Sequence, residues 1–448
     1  MKTYSSLRVA HPTFYYKNYE IDIKNGSICI TYHFEIENLA KFSPCWELPI
    51  GENAVEISDK NFQAMVFNLG LAELVSYWKI TCSPKVKIEC GNLSPRQINW
   101  WKKLYYHGLG EFFYLNHINA DENFMRIECA GQPDAISPSK RFLKGNLIPV
   151  GGGKDSNVTL ELLHDFKSDN HPYIINPRGA TVDSVLVAGY TNTLTAKRTL
   201  DKEMLRLNKE GYLNGHTPFS AIVAFSSVLT AYVNNIKYVV LSNESSANES
   251  TVAGSTVNHQ YSKSFEFEND FNTYEKEFIK SGVYYFSLLR PLSEYQIASY
   301  FSKLENYHGV FKSCNKGSHT NIWCADCPKC LFVYCILSPF LSPDELTKIF
   351  GRDMGSDENL ISTLNQLIGN ETDEKPFECV GSRDEVNFAL CEAIKKWDNL
   401  PLLFEYYKST PLYRAYSTKK NPYPKFYDRQ NLLPQGYRDI VEKELDLC

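Results

Sequence analysis

The sequence has no excess of positive charge. Lys and Arg total 47 against 52 Asp and Glu, a formal net charge of −5. Proteins that grip nucleic-acid phosphates carry a strong basic excess, so no nucleic-acid partner is expected. Long apolar runs are also missing. The longest, Cys330–Leu337, is far short of the roughly 20 residues that a membrane helix needs. Met1–Glu20 holds no apolar stretch of the kind a secretory leader carries. There is no internal repeat and no long low-complexity tract. The 13 cysteines are odd in number and unevenly spaced, unlike a secreted disulfide framework. Together these absences point away from a secreted scaffold, an integral membrane protein and a disordered chain. The expectation is a cytoplasmic protein with reduced thiols. What is present is a globular composition, 43% hydrophobic and 22% charged, with enough apolar residues for a substantial core. At 448 residues, two or three domains are expected.

Patterning divides the chain. Residues 1–144 read as a mixed α+β domain. Ser27–Glu37 alternates apolar and polar residues, as a strand with one buried face does. Ala64–Ile80 and Pro95–Tyr114 have helical spacing. From residue 145 the pattern changes to short apolar strands alternating with helices. Leu147–Val150, Pro172–Asn176, Ser184–Ala188 and Lys237–Leu241 read as β, and Val158–Leu163 and Phe219–Val233 as helix. That alternation predicts a doubly wound parallel sheet over 145–312. Residues 313–448 hold a cysteine cluster and helical patterns at Asp344–Phe350, Asn359–Ile368 and Glu385–Trp397, with Tyr416–Gln435 expected as a surface loop. The fold class expected is α/β: a central doubly wound domain, an N-terminal mixed α+β domain and a mostly helical C-terminal part.

The most informative segment is Val150-Gly151-Gly152-Gly153-Lys154-Asp155-Ser156. Glycines between a strand and a helix let backbone amides approach a phosphate, and the helix N-terminus behind them favours an anion. A Walker A loop needs G-x-x-x-x-G-K-[ST], and a dinucleotide fingerprint needs a glycine where Ser156 stands; neither is met. The segment resembles the PP-loop of N-type ATP pyrophosphatases, S-G-G-x-D-S, with Gly151 in place of the first Ser. That resemblance implies ATP cleavage between the α- and β-phosphates. The glycine amides and Ser156 would hold diphosphate, Lys154 would offset phosphate charge, and Asp155 would orient the loop or Mg²⁺. The product would be an adenylated substrate.

Cys314, Cys324, Cys327 and Cys330 are spaced C-x9-C-x2-C-x2-C. Four thiols so spaced can converge on one tetrahedral ion. Zinc is the first expectation and an iron–sulfur cluster the second. A lone Cys followed by a Cys triplet after an α/β domain also resembles the 7-cyano-7-deazaguanine synthase enzymes, which implies a structural zinc.

Further strings narrow the resemblance: Val75–Lys79, His107–Phe112, Leu213–Pro218, Ser242–Ala247, Val257–Lys263, Phe286–Pro291 and Lys375–Gly381. In this order they resemble the MurL-type UDP-N-acetyl-α-D-muramoyl-L-alanyl-L-glutamate epimerases over residues 64–382. The resemblance implies ATP-dependent inversion of the terminal L-Glu of UDP-MurNAc-L-Ala-L-Glu through adenylation of its α-carboxylate, with AMP and diphosphate released. It implies ATP, Mg²⁺ and a small-molecule partner in peptidoglycan precursor synthesis. Candidate catalytic residues are His216, His259 and Glu244, with Asn243 beside the nucleotide and Arg290 and Lys263 on the substrate's anionic groups. Arg178 and Lys79 are further candidates of that last kind, and His107 and Glu111 are open between catalysis and packing. Each also has a plain structural reading: a satisfied core histidine, a helix cap or a solvated charge. The alternatives are another adenylating enzyme on the same loop, such as an amide- or nitrile-forming ligase, a tRNA-thiolating enzyme or an epimerase of a different L-glutamyl peptide, and a non-catalytic nucleotide-binding module. The −5 charge weighs against tRNA, and the intact loop weighs against a non-catalytic module.

Overall fold

The computed structural model describes residues 2–51, 56–251, 258–318, 320–370 and 374–445. Its strands are β1 (Thr13–Lys24), β2 (Ser27–Ile36), β3 (Ala40–Phe42), β4 (Cys45–Pro49), β5 (Lys85–Ile88), β6 (Arg126–Cys129), β7 (Asn146–Pro149), β8 (Asn170–Ile175), β9 (Leu194–Thr199), β10 (Tyr238–Leu241) and β11 (Tyr284–Ser287). With many helices between them, the fold is mixed α/β. The chain forms two compact units, each built from three segments. One comprises Met1–Leu147, Leu194–Val239 and Gln260–Tyr285; the other comprises Ile148–Thr193, Val240–His259 and Phe286–Cys448. No helix among the described residues is long and apolar enough to cross a membrane.

The first unit is organised on a mixed sheet in the order β9-β4-β2-β1-β5-β6, with β3 paired to β2. β1, β2, β4 and β9 pair antiparallel in sequence, while β1-β5 and β5-β6 are parallel. The alternation read in Ser27–Glu37 is realised in β2, where Ile28, Ile30, Tyr32, Phe34 and Ile36 are buried. The helix Lys60–Trp78 packs on β1 and β2 and is buried on nearly every side. Apolar residues lie on all its sides, as in a central helix, with Asn68, Glu73 and Ser76 buried among them. Gly70 lets it approach, since a Cβ there would fall 2.0 Å from the Tyr16 hydroxyl. The helix Phe219–Val233 matches its expected bounds and packs against it. The predicted Pro95–Tyr114 helix is two helices, Pro95–Gly108 and Gly110–Leu115.

Strands β7 and β10 pair in parallel, with Tyr238 opposite Asn146 and Val239 opposite Leu147, and the second unit carries the segments that follow them. Here Val150 N–H donates to the Tyr173 carbonyl at 2.9 Å, and Leu288 N–H to the Leu241 carbonyl at 2.8 Å. One reading fails: Ser184–Ala188 is not a strand but the end of the helix Gly179–Val187. A short apolar run without alternation cannot be told from a buried helical turn by period alone. The deciding feature lies upstream, where the Arg178 N–H donates to Thr181 Oγ1 at 3.0 Å and opens a helix. The C-terminal helical patterns appear as Pro343–Phe350, Ile361–Ile368 and Arg383–Lys396. Tyr416–Gln435 is tied down more than a surface loop would be: the Tyr416 and Tyr423 hydroxyls both donate to the Asp384 carboxylate, at 2.6 and 2.9 Å.

Candidate active site and cysteine cluster

In the second unit the glycine loop leaves β7 and enters the helix Lys154–Leu162, with Gly153 at the cap position. Gly152 has φ of +79°, and a Cβ there would meet the Ala180 carbonyl carbon at 2.8 Å. Only glycine fits that turn. Gly151 faces open space, so the loop backbone is accessible there. The Ser156 hydroxyl donates to the Gly153 carbonyl at 3.0 Å. Asn157 next to it is fully buried, and neither polar atom of its side chain has a partner among the described residues. An orphaned buried amide of this kind calls for a ligand or a water.

Lys154 is buried and ion-paired to both Asp155 and Glu294. Burial opposes its charge, but these two carboxylates hold its pKa above the ordinary lysine range. Glu294 is pushed up to about 8, by burial first, with Asp155 and Glu244 adding to it and Lys154 opposing. Oxygens of Asp155, Glu244 and Glu294 lie within 4.8 Å of one another. Lys154 stays an ammonium, and the acidic side chains around it outnumber it. Hard carboxylate oxygens clustered in this way suit Mg²⁺, so the residues present fit the expected cation. Glu244 is buried, its carbonyl accepts from Arg290 Nη1 at 2.5 Å, and Arg290 itself is fully buried. Arg290 thus braces the Glu244 loop from within the fold. Asn243 Nδ2 donates to Ser287 Oγ at 3.1 Å, joining the ends of β10 and β11.

The same unit places His259 with its backbone N–H donating to Thr251 Oγ1 at 3.0 Å and its Nε2 3.9 Å from Cys379 Sγ. Arg178 is exposed and donates to Ser318 Oγ at 3.2 Å.

The four cysteines converge. Sγ separations are 3.9 Å for Cys314–Cys327, 3.7 Å for Cys324–Cys330 and 3.5 Å for Cys327–Cys330. Thiolates on one tetrahedral zinc at about 2.3 Å stand roughly 3.8 Å apart, so this donor set fits zinc. Backbone N–H groups of Gly317 and Cys324 donate to Cys314 Sγ at 3.1 and 3.3 Å. A hydrogen bond from Cys330 holds the Cys327 thiol down to about 5. The cluster is anchored to the glycine loop and its neighbours. Lys312 N–H donates to the Gly152 carbonyl at 2.8 Å, and Ala180 N–H donates to Asn321 Oδ1 at 2.8 Å.

The first unit gathers residues from four of the motif strings. His216 Nδ1 is 3.3 Å from Glu111 Oε2. Lys79 Nζ donates to the Gly215 carbonyl and to Thr217 Oγ1, the latter at 2.9 Å. Burial lowers the Lys79 ammonium to about 8, with Arg198 acting the same way and Glu111 opposing. Arg198 is held by the buried Glu73 carboxylate at 2.7 Å. His107 stacks on Tyr261 with ring centroids 4.9 Å apart, and burial lowers its pKa. Lys263, half-buried, closes the short turn Tyr261–Lys263.

Sequence reasoning missed Glu294. Its only local signal is a capping box, Ser293 to Gln296, in which an acidic residue at the first helical position reads as a dipole complement. The ion pair to Lys154 spans 140 residues and has no local signature.

Comparison with known proteins adds the following. A model of the MurL N-terminal domain matches residues 6–288, and a model of the MurL C-terminal domain matches residues 310–420. A UDP-N-acetyl-alpha-D-muramoyl-L-alanyl-L-glutamate epimerase of Xanthomonas oryzae pv. oryzae is 33% identical over 391 residues, covering 84% of this chain and 85% of its own. Proteins of the same name from Salinispora tropica and a Micromonospora species are 32% and 31% identical. Each of these alignments covers 87% of this chain, with 87% and 89% of the relatives' own lengths. No solved structure matches the chain significantly.

Proposed function

The chain belongs to the MurL family, and from that premise we propose that it inverts the terminal L-Glu of UDP-MurNAc-L-Ala-L-Glu to D-Glu in peptidoglycan precursor synthesis, at the expense of ATP. The observation that carries the ATP-dependent part is the glycine loop with Lys154 buried among Asp155, Glu244 and Glu294. In this reading the parallel pair β7 and β10 belongs to a PP-loop domain.

The chemistry needs activation. Removing the Cα proton beside a free carboxylate would put a second negative charge next to the first. Adenylation removes that charge and leaves an acyl carbonyl able to accept the developing enolate. In this reading the Gly151–Gly153 amides, Ser156 and the helix N-terminus receive the diphosphate. Lys154 neutralises phosphate charge. Asp155, Glu244 and Glu294 would hold Mg²⁺, which offsets the charge that builds up as the phosphates separate. Arg290 keeps Glu244 in place, and Asn243 keeps the adjoining strand ends together. Cys314, Cys324, Cys327 and Cys330 would hold a structural zinc that fixes the segment behind the loop. Glu111 fixes the orientation of the His216 ring, leaving Nε2 for proton transfer; His259 is the second candidate base. Lys263 and Lys79 are assigned to the substrate's anionic groups.

The test is incubation with UDP-MurNAc-L-Ala-L-Glu, ATP and Mg²⁺ in D₂O. The expected products are AMP, diphosphate and a D-Glu residue carrying deuterium at Cα. Lys154→Ala and Asp155→Ala should stop diphosphate release. AMP formation stimulated by a free amino acid or by tRNA, and not by this substrate, would refute the proposal in favour of another adenylating enzyme.

A further inference from the structure

Resting on the epimerase reading, we propose that the Cys379 thiolate, formed by proton transfer to His259, is a base that removes the glutamyl Cα proton. Nothing in the motif reading gives Cys379 a role, and the four-cysteine cluster does not include it.

The geometry begins with the pair itself. Cys379 Sγ and His259 Nε2 are 3.9 Å apart, and both residues are half-buried rather than sealed in the core. A thiol next to an imidazole gives up its proton to it, and the resulting thiolate is the reactive form. The pair is also held at the ligand end of the fold. His259 closes the segment that follows β10, where parallel α/β sheets carry their ligand-binding loops. Its N–H is pinned to Thr251 Oγ1 at 3.0 Å, and the Thr251 carbonyl accepts the Lys375 N–H at 3.0 Å. Lys375 Nζ in turn reaches Glu249 at 3.1 Å. Lys375 is therefore tied to Glu249 and Thr251, and Cys379 to His259.

The other end of the stretch Lys375–Gly381 meets the phosphate loop's partner. Gly381 lies so close to Glu294 that a Cβ would stand 3.0 Å from Glu294 Cγ, and Glu294 is ion-paired to Lys154. Lys329 Nζ donates to the Cys379 carbonyl, and Lys329 N–H donates to Glu378 Oε2 at 2.8 Å. One residue, Val380, thus separates the thiol-bearing Cys379 from backbone that approaches Glu294, the partner of Lys154. A base for Cα sits near the activated carboxyl, and Cys379 offers a half-buried thiol there.

A thiolate paired with an imidazolium is present near neutral pH, where a general base must be unprotonated. In the forward step the Cα–H bond breaks and an S–H bond forms. The C–H electron pair moves into the bond between Cα and the activated carboxyl carbon, giving the enolate. A solvent-derived proton then makes the new Cα–H bond on the opposite face. His259 holds the proton it took from Cys379 until the thiol returns to thiolate and solvent takes up the proton lost from Cα.

The full-length protein with UDP-MurNAc-L-Ala-L-Glu, ATP and Mg²⁺ in D₂O separates the outcomes. Cys379→Ala and Cys379→Ser should lower inversion and deuterium entry at Cα by about 10²–10⁴-fold, the usual range for a lost general base. Substrate-dependent AMP release should fall far less. As a readout independent of turnover, peptide mass spectrometry should find Cys379 alkylated by iodoacetamide in the free enzyme. That alkylation should slow in His259→Gln and when substrate is bound. Wild-type inversion in Cys379→Ala would overturn the inference while leaving the epimerase reading intact, as would alkylation of Cys379 at the same rate in His259→Gln. A wild-type chain that makes no AMP with this substrate overturns the epimerase reading itself, and the inference with it.

Discussion

Lys79→Met should make the protein less dependent on pH while removing a buried charge. Lys79 is 6% exposed, and burial lowers its pKa from 10.5 to about 8. The groups that face it are Arg198, Glu111 and Cys82, together with the Gly215 carbonyl and Thr217 Oγ1. The sign follows from proton counting. Between pH 8 and 10.5 the unfolded chain binds a proton that the folded chain does not, so stability rises with pH across that window. Below pH 8 the whole cost of the buried ammonium applies, about 3 kcal/mol at 1.36 kcal/mol per unit. By pH 9.5 about 2 kcal/mol of it is recovered. Methionine keeps the length and removes the charge, but it takes away the donor of two part-buried hydrogen bonds, at about 0.5–1.5 kcal/mol each. The variant should therefore be about as stable as wild type, or slightly more so, at pH 7. At pH 9.5 it should be less stable relative to wild type by about 2 kcal/mol. Denaturant unfolding followed by the emission of the neighbouring Trp78 measures the difference at both pH values. A stability difference that is the same at pH 7 and pH 9.5 would mean that Lys79 is not held neutral-leaning by burial. If the variant also fails to epimerise, the cost of burying Lys79 is the familiar exchange of stability for activity.

Two further outcomes follow from the geometry. Gly152→Ala forces a side chain into a φ of +79° and against the Ala180 backbone. It should lower diphosphate release sharply and cost roughly 1–3 kcal/mol of stability, whereas Gly151→Ala, which faces open space, should be mild; equal effects would mean the loop is not held as described. Elemental analysis should find about one zinc per chain, and Cys327→Ser should lose it along with thermal stability. A metal-free protein of undiminished stability would refute the zinc assignment.

The sequence told most where a signal was local and periodic. The alternation in β2 and the apolar run Phe219–Val233 each state which face is buried, and both elements stand where they were read. The glycine loop was legible because its backbone demands are written in residue type. The reading of Ser184–Ala188 failed because the deciding interaction, at Arg178 and Thr181, lies outside the run. Glu294 and Cys379 were illegible for a different reason. Their significance comes from Lys154 and His259, each more than a hundred residues away, and pairing at that range is a property of the fold alone. The sheet's seventh member tells the same story, since β9 joins β4 across 150 residues and no local pattern announces it.

The division of the chain has a consequence for how the protein is made. Each compact unit is assembled from three separated segments, and the first needs residues up to Tyr285. During synthesis, chains usually complete one domain before the next emerges from the ribosome. Here the β9 edge of the first sheet reaches the nascent chain only after the glycine loop and its helix have been made. Early stretches of the second unit must therefore wait, with apolar faces uncovered, for residues still to be translated. Contacts of such long reach slow folding. For the same reason, cutting the gene at residue 144 or 312 should yield fragments that each lack strands or helices of their own unit, and genetic splitting or fusion is better confined to the chain's ends.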